Sequence, residues 1–131
     1  MLNNCNVIAR FGPLVGRILL SAIFIIAGWK KLTGFEGTLG YMVDKGLPFT
    51  EILLVLTIII ELGGGLLILL GWQARWAALA IFLFLIPVSI IFHPFWADPG
   101  EFNSFFKNLA IMGGMAYIVT HGSGPFSLGK D

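Results

Sequence analysis

The sequence has a single cysteine, Cys5, and charged residues make up only 11% of its 131 residues. One cysteine cannot form an intramolecular disulfide, a C-x-x-C pair or a thiolate metal cluster. Because thiol exchange within one chain needs two thiols, the sequence argues against a membrane thiol oxidoreductase.

The sequence also lacks an excess of charge of either sign, because it has eight basic and seven acidic residues and a net charge of +1. Nucleic-acid binding needs a basic field, so no nucleic-acid partner is expected. The sequence has no metal-ligand cluster, no paired in-span histidines for haem, and no glycine motif for flavin or nicotinamide nucleotides. None of these cofactors is therefore expected.

Apolar residues are what the sequence has in abundance, at 57% of the chain and a mean hydropathy of +0.92. Four stretches are long enough to cross a hydrocarbon core, which takes about 20 mostly apolar residues. They are residues 11–32, 49–70, 72–92 and 103–120. We predict an all-α, integral membrane four-helix bundle in one domain, 1–131, with a third helix kinked at Pro87 and with Pro13 in the first turn of the first helix.

The parts between and after the spans set the expected topology. A short amphipathic connection follows the first span, and the ending HGSGPFSLGKD predicts a flexible tail. Four spans place both termini on one side of the membrane. Basic residues divide evenly between the two sides, so the positive-inside rule decides nothing, and acidic residues opposite the termini favour cytoplasmic termini. The basic residues are Arg10, Arg17, Arg75 and Lys130 on the terminal side and Lys30, Lys31, Lys45 and Lys107 on the other.

Two charged side chains lie inside predicted spans at similar depths. At about 1.5 Å per residue, Arg17 is about 9 Å and Glu61 about 14 Å from the terminal side. An unpaired ion at such depth would cost several kcal/mol, so we predict a buried ion pair between Arg17 and Glu61. The glycines that follow Glu61 leave room for the first helix to approach. Either of two roles is open for the pair: fixing helix register, or taking part in proton transfer or ligand anchoring.

A second polar group gathers toward the opposite side and forms the candidate ligand-binding site. Its members end the first helix, follow the third or begin the fourth, and they are Trp29, Lys31, His93, Lys107 and Asn108. Tryptophans and lysines at such depth are also typical of an aromatic belt and of snorkelling to headgroups. An imidazole can gain or lose a proton near neutral pH, which makes His93 a candidate functional residue, but a lone histidine is more often structural.

Four sequence stretches resemble the DoxX family of small bacterial inner-membrane proteins. They are RILLSAIFIIAGWKKLTGF, IIIELGGGLLILLG, IIFHPFW and FFKNLAIMGGM, which together run from Arg17 to Met115. The resemblance implies a four-helix bundle. It matches family positions to Arg17, Gly28, Lys31, Glu61, His93, Lys107 and Asn108.

The resemblance also suggests a function, because relatives include the DoxD subunit of thiosulfate:quinone oxidoreductase and members linked with oxidative stress or sulfur metabolism. It favours a quinone-interacting or membrane-anchoring subunit that receives electrons from a soluble redox partner. The alternative is a non-catalytic membrane protein that binds lipid or a small apolar ligand, or that scaffolds partner proteins. Whether the chain is itself catalytic, and whether it forms a homo-oligomer, stays open.

Overall fold

Helices are the regular secondary structure of the described part of the chain. A computed structural model describes residues 2–129, with side chains from residue 6 onward, and this part contains no strand. The helices are α1 (Leu2–Thr33), α2 (Phe35–Asp44), α3 (Thr50–Ile58), α4 (Gly64–Leu70), α5 (Ala74–Phe92) and α6 (Phe102–His121). A π turn, Ile59–Gly63, joins α3 to α4, so that Thr50–Leu70 forms one continuous second span. A 3-10 turn, Pro99–Glu101, precedes α6.

Three helical segments in residues 2–129 are long and apolar enough to cross a membrane: Asn6–Thr33, Thr50–Leu70 and Ala74–Phe92. The all-α membrane class is therefore confirmed. Helix α6 has 20 residues but falls outside this set, because polar residues such as Lys107 and Asn108 lower its hydropathy. By helix length and hydropathy the described residues contain three candidate spans and not the predicted four. Helix α6 nevertheless packs along α5.

Three local predictions differ from the structure or go beyond it. Pro13 does not lie in the first turn, because α1 already begins at Leu2. The amphipathic connection forms a helix of its own, α2, of ten residues. Pro87 lies inside α5, where it cannot donate to the preceding turn. A kink at Pro87 stays a prediction.

Glycines bring α1 and the second span into close contact. A Cβ on Gly28 would lie 2.8 Å from Cβ of Leu62, and one on Gly65 would lie 2.9 Å from Cγ1 of Ile25. Only a residue without a side chain fits either position. Small residues at such positions commonly allow membrane helices to approach each other closely. Helix α1 therefore packs directly against the π turn and α4.

The apolar core lies between α1, α4, α5 and α6. It consists of Phe24, Ile68, Ala74, Ala77, Ala78, Ile81, Leu85, Met115 and Ile118. A buried polar contact joins α6 to α5, where Nδ2 of Asn108 donates to Oγ of Ser89 at 3.1 Å.

The C-terminal tail is packed against the bundle. The backbone N–H of Leu128 donates to the carbonyl of Leu70 at 3.0 Å, and that of Gly129 donates to Gly71 at 3.1 Å. A Cβ on Gly124 would lie 2.7 Å from Pro13. The expected flexible tail is thus wrong for residues 122–129, while Lys130 and Asp131 lie outside the described residues.

The molecule has a terminal end and an α2 end. The terminal end holds the start of α1, the turn at residues 71–73 and the tail at residues 122–129. The α2 end holds α2 and residues 93–101, which link α5 to α6. Every candidate ligand residue predicted from the sequence lies in the half of the molecule nearer the α2 end.

Candidate functional site

The carboxylate of Glu61 is paired with Lys31. The Nζ of Lys31 lies 2.7 Å from Oε1 of Glu61, and the two side chains are 29% and 9% exposed. Lys31 belongs to the last turn of α1, and Glu61 lies in the π turn. The predicted ion pair between Arg17 and Glu61 is therefore wrong, although Glu61 does hold a cation from α1.

The direction of helical side chains explains this correction. Side chains on an α-helix lean toward its N-terminus. Arg17 consequently leans toward the terminal end, whereas Lys31, near the other end of the same helix, leans back into the bundle. Glu61 lies on an antiparallel helix and leans toward the α2 end. Depth along the axis alone placed Arg17 and Glu61 within reach, but their side chains diverge.

Arg17 binds backbone carbonyls at the terminal end. Its guanidinium donates to Ile68 and Leu69 at 3.4 and 3.1 Å, and to Pro125 and Phe126 at 3.2 and 2.8 Å. Ile68 is seven residues beyond Glu61, which corresponds to about 10 Å along a helix. Arg17 is only 2% exposed, so it ties the tail to the end of the second span.

The ion pair of Lys31 and Glu61 borders a cavity. This cavity measures about 190 Å³, and its lining comes from α1, α2, the second span and α5. The lining residues are Lys31, Thr38, Tyr41, Met42, Thr57, Glu61, Phe84, Val88, Phe92 and His93. A second cavity of about 220 Å³ shares five of them and extends along Leu53, Ile60 and Pro87. Together the two form one mostly apolar slot with a polar end.

His93 is the third polar group at this end of the slot. It caps the C-terminus of α5, and its Nδ1 lies 2.6 Å from Oε2 of Glu101. No sequence pattern pairs His93 with Glu101, because the contact depends on how residues 94–100 turn back. The one local signal is the Asp98-Pro99-Gly100 sequence, which is typical of a turn, and Oδ1 of Asp98 accepts from the N–H of Gly100 at 3.0 Å.

The five predicted ligand residues are not brought together. Lys31 and His93 line the slot, but Trp29 is 58% exposed and lies outside it. Lys107 is exposed, and Asn108 is buried against Ser89. Sequence reasoning did not place Glu61, Tyr41 or Phe84 at this site. A ligand-binding role for Lys31 and His93 stays a prediction.

The chemistry that the site offers follows from its groups. An ammonium, a carboxylate and an imidazole face one apolar space with Tyr41 and Phe92 stacked at its edge, their ring centres 5.6 Å apart. Among the side chains that the structure describes, no group of three or more His, Cys, Asp or Glu is arranged to hold a metal ion. The arrangement suits a small, flat ligand with polar atoms that accept or donate hydrogen bonds.

These features define a class: a small helical membrane protein with an ion pair inside its spans beside an apolar cavity. The DoxX family model matches residues 12–94, a range that includes Arg17, Lys31, Glu61 and His93 but ends before Glu101. The chain belongs to the DoxX family, as its sequence motifs predicted.

Curated relatives agree with this assignment. The chain is 40% identical to inner membrane protein YqjF of Escherichia coli K12, over 91% of this chain and 90% of the relative. It is 30% identical to inner membrane protein YphA of the same organism, over 89% and 87%. It is also 31% identical to the Surfeit locus protein 4 homolog of Schizosaccharomyces pombe, over 88% of this chain but 35% of that protein. No solved structure matches.

Proposed function

We propose that this chain is a bacterial inner-membrane protein whose slot binds the ring of a lipid-soluble quinone. In this role it is the quinone-interacting or membrane-anchoring subunit of a redox system. The observation that carries the proposal is the Lys31–Glu61 ion pair, which lies at the wall of an apolar cavity within membrane-spanning helices.

The free-energy cost of charged groups inside a membrane makes the Lys31–Glu61 pair a candidate functional site. Charged groups inside a membrane are costly, and those that occur there commonly mark a functional site. A pair that only fixed helix register would be expected to be packed on all sides, yet Lys31 and Glu61 border open space. The π turn at Glu61 adds support, because isolated π turns are frequent at functional sites.

The dimensions and polarity of the slot fit a quinone ring. A cavity of about 190 Å³ is smaller than the roughly 300–1,000 Å³ typical of drug-sized ligands, so it suits a single ring. Lys31 has three N–H donors and can give one to a quinone oxygen while it keeps Glu61. Phe84 and Phe92 supply apolar walls, and the adjoining cavity of about 220 Å³ suits the start of an isoprenoid tail.

Electrons must come from elsewhere, because the sequence has no cysteine pair, haem site or dinucleotide motif. We therefore assign them to a soluble redox partner. In the same proposal α6 is the fourth span of the bundle, and both termini lie in the cytoplasm.

The single cysteine offers a direct test of this orientation. Cys5 is the natural target for a membrane-impermeant maleimide, with no other thiol in the chain. In spheroplasts we expect labelling only after the membrane is permeabilised. Labelling of intact spheroplasts would place the termini outside the cytoplasm, and a Cys5→Ser variant controls for other thiols.

Quinone binding is tested with purified protein in lipid nanodiscs and a short-chain ubiquinone, by equilibrium dialysis. The double variant Lys31→Met/Glu61→Leu removes both charges and leaves neither ion unpaired. We expect it to bind at least about tenfold more weakly, a loss of about 1.4 kcal/mol. The matched control is Lys30→Met, which removes the exposed neighbouring lysine outside the slot and should bind like wild type. Equal affinity in the double variant and the control would contradict the proposal.

A second function, non-catalytic binding of lipid or scaffolding of partners, is favoured by another cavity. It measures about 380 Å³, lies between α1 and α6 at the terminal end, and is lined by Gly16, Leu20, Gly114 and Ile118 among others. An acyl chain suits such a lining. Mass spectrometry of lipids extracted with the protein separates the two functions, since phospholipid without quinone supports this one. The mass of the intact purified protein, with its bound lipid, shows whether the chain is a homo-oligomer.

A further inference from the structure

We infer that Glu101 is a positioning residue for the slot: it binds Nδ1 of His93 and thereby leaves Nε2 as the ring atom that meets a ligand. The part of this inference that concerns the ligand rests on the proposed quinone site. The part that concerns the imidazole does not, and each part has its own test.

The contact between Glu101 and His93 is built into the fold. Their side chains are 30% and 28% exposed, and the 2.6 Å distance between Oε2 and Nδ1 is short. Glu101 ends the 3-10 turn that Asp98 caps through the N–H of Gly100. The same link is held to α6 by Phe95, whose ring centre lies 4.9 Å from that of Phe105. Glu101 is therefore in place before any ligand arrives.

The chemistry of the pair determines which nitrogen carries hydrogen. An ionised carboxylate can only accept, so the hydrogen of a neutral imidazole lies on Nδ1 and Nε2 becomes an acceptor. The titratable groups around His93 in the slot are Lys31, Tyr41 and Glu61, with Glu101 behind it. The slot thus presents a donor at Lys31 and an acceptor at His93.

A donor and an acceptor together select one form of a redox-active ring. A quinone carries only acceptor oxygens, whereas the hydroxyl groups of a quinol both donate and accept. With His93 neutral, the slot therefore prefers the hydroxylated, reduced ring.

The imidazole part is tested by nitrogen-15 NMR, which distinguishes the two neutral tautomers. A His121→Gln background leaves His93 as the one histidine, because the chain has two. At a pH where the same spectra show a neutral ring, we expect hydrogen on Nδ1. Glu101→Leu should lose this bias, Glu101→Gln should keep it through its amide oxygen, and Glu51→Leu, which removes an exposed acid elsewhere, should not change it. Hydrogen on Nε2 in the unmodified site would overturn the inference.

The ligand part is tested by comparing hydroquinone with its dimethyl ether, which cannot donate, under anaerobic conditions in nanodiscs at that pH. We expect a preference of about tenfold for hydroquinone, as the loss of one good hydrogen bond gives. Glu101→Leu should abolish this preference and Glu101→Gln should retain it. An equal preference in all variants would overturn the ligand part. If wild type binds neither compound nor ubiquinone, the proposed function fails, while the tautomer result still stands for Glu101.

Discussion

Helix α1 carries two basic side chains into the molecule, and their surroundings differ. Arg17 donates to backbone carbonyls of the second span and of the tail. Lys31 faces a carboxylate and an open cavity. Burial of a charge therefore does not mark a site by itself. Both cations border a cavity, so the difference lies in the partners that the structure describes. Those partners are backbone carbonyls for Arg17 and a carboxylate for Lys31.

The residue types fit these two surroundings. The guanidinium of Arg17 presents five donors in a rigid plane and can join several carbonyls at once. The ammonium of Lys31 is a compact charge on a flexible stem, which can keep one acceptor and take another. The two cations can be exchanged or removed separately, which allows the comparison to be tested.

The largest effect is expected at Arg17. Arg17→Met removes the side chain that donates to four carbonyls of the second span and the tail, and we expect the free energy of unfolding to fall by about 3–5 kcal/mol. Arg17→Lys should lose less, because one ammonium still reaches some of the carbonyls. Unfolding in detergent and protease sensitivity of the tail are the measurements. A variant with wild-type stability and an intact tail would show that the tail is held in another way.

Loss of the carboxylate is expected to be the next largest effect. Glu61→Gln leaves Lys31 without its counter-ion, but Lys31 is partly exposed and can turn toward water, so we expect a loss of about 2–3 kcal/mol. The double variant Lys31→Met/Glu61→Leu should regain much of it. Lys30→Met, at the exposed neighbouring lysine, is the control. If Lys30→Met and Glu61→Gln change stability equally, the ion pair is unimportant.

A smaller effect is expected from the contact between α1 and the π turn. Gly28→Ala would place a Cβ 2.8 Å from Leu62, and overpacking of this kind costs about 1–3 kcal/mol. Gly12→Ala is the matched control on the same helix, since a Cβ there meets nothing within 4 Å. Thermal unfolding measures both. The close approach would be refuted by Gly28→Ala and Gly12→Ala melting at the same temperature.

The smallest effect is expected at the contact that joins α5 and α6. Ser89→Ala removes the acceptor of Asn108, and interhelical hydrogen bonds in membranes average about 0.6 kcal/mol. Quinone binding should not change, because neither residue lines the slot. A large loss of binding with little loss of stability would return Asn108 to the ligand site that the sequence suggested.

The sequence predicted the helical membrane class because hydropathy and length are local properties. It did not predict α2 as a helix, because ten residues are too few to produce a span-length signal. The prediction paired Glu61 with Arg17 and not with Lys31, because depth along a helix axis does not give the direction in which a side chain leans. The contact between His93 and Glu101 was not predicted for a different reason. It depends on the conformation of the connecting residues 94–100, and hydrophobic periodicity does not predict the conformation of a loop.

The packed tail has a consequence for the order in which the protein is assembled. Two of the carbonyl partners of Arg17 belong to Pro125 and Phe126, which follow it by 108 and 109 residues. A nascent chain therefore makes α1 long before those two carbonyls exist. Closure of the terminal end has to wait until α6 and the tail have been made.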